Sequence, residues 1–368
     1  MSFDVQLQPV LDVAAEHAVS VDRDGRFPEE AIDSLRDSGL LGLTLPEAIG
    51  GLDGSPADFL SVSQALASRC ASTAMIYLMH VCAAQVTLAA TPDADPAALR
   101  SMADGTNLST LAFSERGSRS HFWAPVSQLA GTMLSAEKSF VTAAGHAESY
   151  VVSTRPERAD SPIESSLYLV PSSAAGITVG PAWDGLGLRG NASAPMTFDV
   201  EVDDPMRLGE VGKGLDLMLG VVLPWFQLGQ GAVSLGIAEA AQSAAVAHVT
   251  GAKLEHLGQT LADLPTVRAR IGRAQTEIDT VAGFLADVAR RMGEGDPSVP
   301  ILSAKASANE MAIRVTSEAM QACGGVAMSK SLPIERSLRD ARAGAVMSPT
   351  TDVLYELTGR ALAGMPLL

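Results

Sequence analysis

The sequence is poor in cysteine, in aromatic residues and in positive charge. Its three cysteines, Cys70, Cys82 and Cys323, are odd in number and lack Cys-x-x-Cys spacing, which fits neither a disulfide framework nor a zinc site. Buried thiols in a reducing compartment fit better, so we expect a cytoplasmic protein. Lys and Arg total 26 against 42 Asp and Glu, a formal net charge of -16. This balance provides no basic footprint for nucleic acid or for an anionic membrane surface.

Long charged tracts and low-complexity segments are also missing. The 368 residues are 47% hydrophobic and 18% charged, which excludes bulk disorder and predicts two or three domains. The N-terminus has no basic segment followed by an apolar one, so we expect no signal peptide. The most apolar stretch, residues 217–240, contains Pro224 and several Gly and Gln residues. This composition predicts a buried core helix rather than a membrane span.

Helical periodicity dominates the first hundred residues. Pro28 followed by two acidic residues predicts a helix start, and Gly39 predicts its end. Two further helices are predicted over residues 57–68 and 73–88. The Gly- and Pro-rich segment LPEAIGGLDGS separates the first two of these three helices.

Around Leu108 the hydrophobic period changes to about two, which predicts a small antiparallel β domain. From Gly214 the pattern is helical again and predicts a bundle. Its helices are predicted over residues 214–249, 261–293, 299–323 and 331–343, with a last one from Pro349. The predicted fold class is therefore α+β. It comprises an N-terminal α-helical domain (1–107), a middle antiparallel β domain (108–207) and a C-terminal helical bundle (208–368).

This domain order and a series of local motifs resemble the acyl-CoA dehydrogenase family over essentially the whole chain. The motifs are FPEEAIDSLRDSGLLGLTLPEAIGG, ASTAMIYLMHV, AFSERGSRSH, EKSFVTAAGHAESYVV, GLRGNASAPMTFDVEV, LGEVGKG, AKASANEMAIRVTSEAMQACGG and PIERSLRDAR. The resemblance implies FAD bound between the β domain and the C-terminal bundle of a homo-oligomer, a tetramer or a dimer. It also implies an acyl-thioester or other small-molecule substrate and an electron-acceptor flavoprotein or a flavin reductase as partner.

The resemblance further implies which residues contact the flavin. Phe140 takes the position of the aromatic ring against the flavin, and Thr142 that of the hydroxyl directed toward N5. The glycine pair near residue 324 lets backbone approach the pyrophosphate of a neighbouring subunit. The full set of implied cofactor-binding residues is Phe113, Ser114, Ser120, Phe140, Thr142, Gln321, Gly324, Gly325 and Thr350.

The catalytic base of the family has no counterpart in this sequence. Family members use a carboxylate to remove the α-proton of the acyl thioester while a hydride passes to flavin N5. Ser348 stands at the usual glutamate position, and the alternative position holds Phe226 and Gln227. As a base, Ser348 needs an activating group, and Asp352 would share its face of a helix. The simpler interpretation is that Ser348 caps the last helix, with Pro349 at its first position.

Other departures concern the cofactor and the pocket. The Arg-x-x-Phe pair that grips the diphosphate is replaced by Leu254 and Leu257, with Lys253 as a point charge, so FAD binds weakly or FMN replaces it. His80 matches a histidine that stabilises a flavin–oxygen adduct in monooxygenases of this fold. The competing interpretation is a hydrogen-bonded core histidine. His121 and Trp123 replace family residues and are predicted to line an altered pocket.

Three functions are compatible with these features. The first is a flavin-dependent oxidoreductase of the acyl-CoA dehydrogenase type with Ser348 in place of the glutamate. The second is a two-component monooxygenase of the same fold that uses reduced flavin and oxygen. The third is a non-catalytic partner subunit of a mixed tetramer, against which the retained flavin segments around Phe113 and Phe140 count. No metal site is predicted.

Overall fold

The computed structural model describes residues 3–90, 97–118, 121–295 and 298–367. The N-terminal part is helical. Its helices are α1 (Asp4–Asp24), α2 (Glu29–Asp37), α3 (Pro56–Arg69), α4 (Ala71–Ala90) and α5 (Ala97–Ala103). Pro28 lies just outside α2 as its N-cap, and Gly39 follows the helix in the left-handed region at φ 73°. The predicted start and stop of this helix are thus confirmed to within a residue or two.

Two small sheets form the middle part. Their strands are β1 (Ser109–Ala112), β2 (Met133–Val141), β3 (Ser149–Thr154), β4 (Ser166–Pro171), β5 (Ile177–Val179), β6 (Ala194–Glu201) and β7 (Arg207–Leu208). One sheet has the order β1-β3-β4-β7 and the other β2-β6-β5.

One strand pairing corrects the fully antiparallel expectation for this part. β1 and β3 are parallel, with Ser109 opposite Ser149. The other pairings within these two sheets are antiparallel. The parallel pair arises because the chain leaves β1, forms β2 in the other sheet and returns to β3 in the same direction.

The C-terminal part is a helical bundle. It contains α6 (Gly214–Leu217), a π-helical segment (Met218–Val222), α7 (Leu223–Gly251), α8 (Pro265–Gly293), α9 (Ser298–Cys323), α10 (Ile334–Val346) and α11 (Thr351–Leu362). A short hairpin, β8 (Lys253–Leu254) and β9 (Gln259–Thr260), joins α7 to α8. Helix α7 is central, because α3, α4, α8, α9 and α10 all pack against it.

Two helical stretches are long and apolar enough to cross a membrane by length and composition. They are α4 and the continuous stretch Gly214–Gly251, and 78% and 83% of their most apolar windows are buried inside the protein. Their apolar surface therefore contributes to the protein core, as predicted for residues 217–240.

Candidate functional site

A cavity of about 890 Å³ lies where the three parts of the chain meet. Met75 and Met79 of α4 form one wall, and Val222 and Phe226 from the start of the bundle form a second. The β domain and the end of α10 complete it. A volume of this size is within the range of small-molecule and cofactor sites. The π-helical segment Met218–Val222 ends at the cavity, and such irregular helical turns are frequent at functional sites.

Four of the residues predicted to contact flavin line this cavity together. They are Phe113 and Ser114, just after β1, and Phe140 and Thr142 near the end of β2. A register shift between Lys138 and Val141 places Phe140 in the left-handed region at φ 55°. Its side chain is 66% exposed, which is unusual for an aromatic residue on a strand. A strained backbone that presents an aromatic ring to a cavity is a feature of ligand sites.

Trp183 is the cavity residue that sequence analysis missed most clearly. Its ring meets Phe140 edge to face with centroids 6.1 Å apart. The Trp183 Nε1–H donates to Leu188 O at 3.1 Å, and Leu188 N donates to Asp340 Oδ1 at 2.7 Å. These bonds hold the loop containing Trp183 against α10. Leu188 and Asp340 are more than 150 positions apart, so no local sequence signal could indicate that this loop packs against α10.

Close backbone packing fixes the same loop. A Cβ at Gly187 would lie 2.6 Å from Arg339 O, so only glycine permits this approach to α10. Burial raises the pKa of Asp340 to about 6, although its bond from Leu188 N lowers it. Asp340 thus belongs to the support of the cavity wall and is not among the residues that line it.

Glu115 is the only carboxylate among the described cavity-lining residues, and its oxygens are already engaged. Its carboxylate accepts from Val126 N at 2.6 Å, from Ser127 N at 2.8 Å and from Ser127 Oγ at 2.6 Å, and it pairs with buried Lys138. Burial alone would raise the pKa of Glu115, but the Lys138 ammonium and these hydrogen bonds outweigh it and hold the pKa low. A carboxylate held in this way is a poor proton acceptor.

Ser348 lies on the cavity wall with a buried Oγ that has no hydrogen-bond partner among the described residues. The prediction that Ser348 caps the last helix is wrong. Helix α11 begins at Thr351, and Thr350 occupies its N-cap position. Ser348 and Pro349 instead belong to a loop whose backbone carbonyls accept hydrogen bonds from Lys305. Ser348 precedes α11, whereas Asp352 is exposed within it, so the two do not share a helical face.

Lys305 of α9 is a second residue that sequence analysis missed. Its ammonium or amine nitrogen donates to Met347 O at 2.8 Å and to Pro349 O at 2.7 Å, the carbonyls on either side of Ser348. The side chain is fully buried and lies over the Phe226 ring, 5.3 Å from its centroid. Burial lowers the pKa of Lys305 to about 7.

His80 is placed close to the β domain but is not among the residues that line the cavity. Its ring is fully buried, with Nε2 3.1 Å from Leu41 O and Nδ1 accepting from Ser109 N at 3.0 Å. Both nitrogens are thus engaged with backbone groups. Burial lowers the pKa of His80 to about 4. This geometry favours the core-histidine interpretation over a role in oxygen chemistry.

The remaining predicted residues lie away from this cavity. Gln321, Gly324 and Gly325 are exposed at the end of α9, and Gly324 ends the helix with φ 67°. Leu254 and Leu257 belong to the hairpin region after α7. Residue Ser120 lies outside the described residues. His121 is exposed and Trp123 is buried without lining the cavity, so Phe122 takes the wall position predicted for them.

Comparisons with known proteins agree with this architecture. The family models for the N-terminal, middle and C-terminal domains of acyl-CoA dehydrogenase match residues 10–106, 110–200 and 212–363. The probable acyl-CoA dehydrogenase YngJ of Bacillus subtilis is 27% identical over 363 residues, covering 95% of this chain and 93% of YngJ.

Solved structures extend the comparison. Butyryl-CoA dehydrogenase from Megasphaera elsdenii superimposes with a TM-score of 0.87 at 26% identity, covering 97% of this chain and 98% of that chain. FMN-bound TdsC from Paenibacillus sp. A11-2 has a TM-score of 0.84 at 23% identity, covering 98% of both chains. The second likeness concerns the fold alone.

Proposed function

The chain belongs to the acyl-CoA dehydrogenase family, and we propose that it is a flavin-dependent oxidoreductase that removes hydrogen from the α and β carbons of an acyl thioester. The observation that carries the proposal is the joint placement of Phe113, Ser114, Phe140 and Thr142 on one cavity of about 890 Å³. A cavity of this volume accommodates a flavin ring and part of an acyl chain. FAD is the expected flavin and FMN the alternative.

The residues present fit a flavin ring. The exposed Phe140 ring offers an aromatic face, and Trp183 meets it edge to face. Thr142 Oγ1 is 3.2 Å from Ser193 Oγ and retains hydrogen-bonding capacity on the cavity side. The bound flavin would supply a hydride acceptor. Phe113, Ser114 and Thr142 would fix its orientation.

The diphosphate would have to be held differently from the usual family arrangement. Arg116 and Arg342 line the cavity, are exposed and have no ion pair among the described residues. They are candidates for anionic groups of the cofactor or the substrate. Gln321, Gly324 and Gly325 could reach a flavin only across a subunit contact. The exposed apolar side chains of Val326 and Met328 beside them support a homo-oligomer.

The proton-accepting side of the reaction depends on position 348. Ser348 is on the cavity wall with a free hydroxyl, and Glu115 is engaged with Lys138. In this proposal the chain contributes the Ser348 hydroxyl at the position of the family carboxylate. Phe226 and Met347 line the same wall and give it apolar surface.

The first test is the visible spectrum of the purified protein, with released flavin quantified, followed by anaerobic addition of acyl thioesters. Bleaching of bound flavin without any reductase supports the proposal. A Ser348→Glu variant should increase the rate of bleaching, because it restores a carboxylate at the cavity wall. Normal flavin content together with no bleaching by any acyl thioester, in either protein, would refute dehydrogenation of this substrate class.

A monooxygenase using reduced flavin and oxygen is the second candidate function. It is favoured by the lack of a free carboxylate among the described lining residues, since oxygen activation needs no α-proton acceptor. Product formation that requires both oxygen and a flavin reductase would support it. Activity that appears only after mixing with a homologous subunit would instead support a non-catalytic partner role.

A further inference from the structure

The loop that carries Ser348 packs on Lys305, which has no acidic partner among the described residues. Lys305 Nζ has two hydrogen-bond acceptors among the described residues, Met347 O and Pro349 O. A neutral amine has two N–H donors and one lone pair, whereas an ammonium has three donors. The two carbonyls therefore satisfy the donors of a neutral amine and leave its lone pair available. The Phe226 ring, 5.3 Å away, is the remaining close neighbour.

Among the described residues, no charged side chain on the elements packed around α9 forms a hydrogen bond or an ion pair with Lys305 Nζ. Several acidic side chains on α9, α8 and α11 form ion pairs with arginines: Glu310 and Glu277 with Arg314, Asp287 with Arg290 and Arg291, and Glu356 with Arg360. On α7, Glu239 accepts from Gln64, and on α10, Asp340 accepts from Leu188 N while Arg339 pairs with Glu335 and Asp22. Arg342 on α10 and Asp352 on α11 are exposed. Burial is accordingly the one cause that lowers the pKa of Lys305.

Buried polar groups continue inward from Lys305 between α7 and α9. Asn309 lies one turn after Lys305, and Ser234 Oγ donates to Asn309 Oδ1 at 2.8 Å. Gln227 follows Phe226 on α7, and neither its Oε1 nor its Nε2 has a partner among the described residues. Gln230 Oε1 and Asn309 Nδ2 are also unpartnered. Buried polar atoms of this kind are normally satisfied by internal water, so the region behind Ser348 is suited to hold and move a proton.

We propose that Lys305 is a positioning residue for Ser348 that also receives its proton. This inference rests on the proposed function. The α C–H bond of the acyl thioester breaks and an O–H bond forms at Ser348 Oγ. The original Ser348 O–H bond breaks and its proton passes to an internal water, which in turn gives a proton to Lys305 to form its third N–H bond. A water is needed because Ser348 Oγ has no direct hydrogen-bond partner among the described residues. The electron pair of the α C–H bond forms the new double bond, and a bound oxidised flavin would supply the acceptor for the hydride that leaves the β-carbon.

A cysteine at position 348 reports on this coupling without any flavin or substrate. In Ser348→Cys, Lys305 should accept the thiol proton, and the ammonium so formed should favour the thiolate and lower the thiol pKa. Adding Lys305→Met should raise the thiol pKa by at least one unit. The thiolate is read from its ultraviolet absorbance during a pH titration. The native Cys70, Cys82 and Cys323 are buried, and burial raises the pKa of each, so they contribute a constant background.

Matched variants exclude trivial explanations. Lys213 has a side chain that is 63% exposed and distant in sequence from this loop, so Lys213→Met in the Ser348→Cys background should leave the thiol pKa unchanged. Lys305→Arg retains a permanent charge and should keep the thiol pKa low, yet it cannot accept a proton. Lys305→Gln replaces Lys305→Met if the apolar variant does not fold. Equal thiol pKa values with Lys305 and with Met or Gln at that position would overturn the proposal.

The flavin assay then separates this inference from the proposed function. With Ser348 intact, Lys305→Arg should retain the flavin spectrum while slowing flavin bleaching by acyl thioester at least a hundredfold. Undiminished bleaching in Lys305→Arg would contradict proton transfer to Lys305 even if the proposed function is correct. Failure of the wild type to bind flavin would instead refute the proposed function. The thiol titration would still decide whether Lys305 is coupled to position 348.

Discussion

The rings of Phe140 and Trp183 meet nearly perpendicular to one another, 6.1 Å apart at their centroids, on the wall of the cavity. One belongs to a bulged strand and the other to a loop held against α10. Their contact therefore joins the β domain to the bundle at the place where we propose that flavin binds.

Phe140→Ala should weaken flavin binding about fivefold, because an aromatic contact contributes on the order of 1 kcal/mol. The free energy of unfolding should hardly change, since the Phe140 side chain is largely exposed. Fluorescence titration of the apoprotein with FAD and FMN measures the effect. Tyr355→Ala, an exposed aromatic substitution on α11, is the control and should leave flavin affinity intact. Unchanged affinity in Phe140→Ala would place the flavin elsewhere.

Lys138→Met should destabilise the protein by about 3–5 kcal/mol, because it leaves the Glu115 carboxylate buried without its cation. Adding Glu115→Gln should recover part of this loss. Urea unfolding of both variants at pH 7 provides the comparison. Equal stability of the single and double variants would show that the unpaired carboxylate is not the cause.

The same pair contributes a pH dependence. Since the pKa of Glu115 is lowered in the folded protein, its stabilisation is present above the unfolded value near 4.5. It is lost as pH falls through the lower folded pKa. Relative to the wild-type protein, the Lys138→Met, Glu115→Gln double variant should lack this acid-side loss when urea unfolding is compared across that pH range.

The buried ring of His80 should cause a separate loss of stability on acidification. Burial holds the pKa of His80 at about 4 in the folded protein, against 6.5 in the unfolded chain. The unfolded state therefore binds a proton first, and stability should fall by about 3 kcal/mol between pH 6.5 and pH 4. His80→Gln should reduce the slope of stability against pH in that window. The exposed His256→Gln provides the control and should retain the wild-type slope.

Gly344→Ala should destabilise the protein by about 1–3 kcal/mol, as overpacked interiors do. An added Cβ would lie 2.2 Å from Asn309 Oδ1 and 2.7 Å from Gln230 Nε2. Gly359→Ala is the matched control in α11, where an added Cβ meets no atom within 4 Å of the described structure. That change should stabilise the protein by about 0.5–1 kcal/mol. Chemical unfolding of both variants should show a lower free energy of unfolding for Gly344→Ala and a higher one for Gly359→Ala.

The sequence predicted the order of helical and β regions because their hydrophobic periods differ so plainly. Boundaries were less accurate where tertiary contacts decide them. The last helix begins at Thr351 and not at Pro349, because Lys305 holds the preceding loop by its carbonyls. The helix predicted over residues 214–249 contains the π-helical segment Met218–Val222, and no local sequence pattern indicated this segment.

The candidate site was only partly predictable for a related reason. The resemblance of the β-domain motifs to the acyl-CoA dehydrogenase family pointed to Phe113, Ser114, Phe140 and Thr142, and the structure brings all four to one cavity. Trp183 and Lys305 act through contacts between distant segments, and single-sequence patterns carry no information on those. The ion pair between Glu115 and Lys138 was not predictable either, because Lys138 lies on β2 and Glu115 in the segment after β1. Only the folded structure shows that the two side chains meet in a buried environment.

The cavity described above is bounded by α4, by the β domain and by the end of α10, which are far apart along the chain. A molecule bound there would contact three regions that are distant in sequence. Its binding should also raise the free energy of unfolding, since a ligand at a hundredfold excess over its dissociation constant adds about 2.7 kcal/mol to stability. Occupancy would bind the three regions into one cooperative unit.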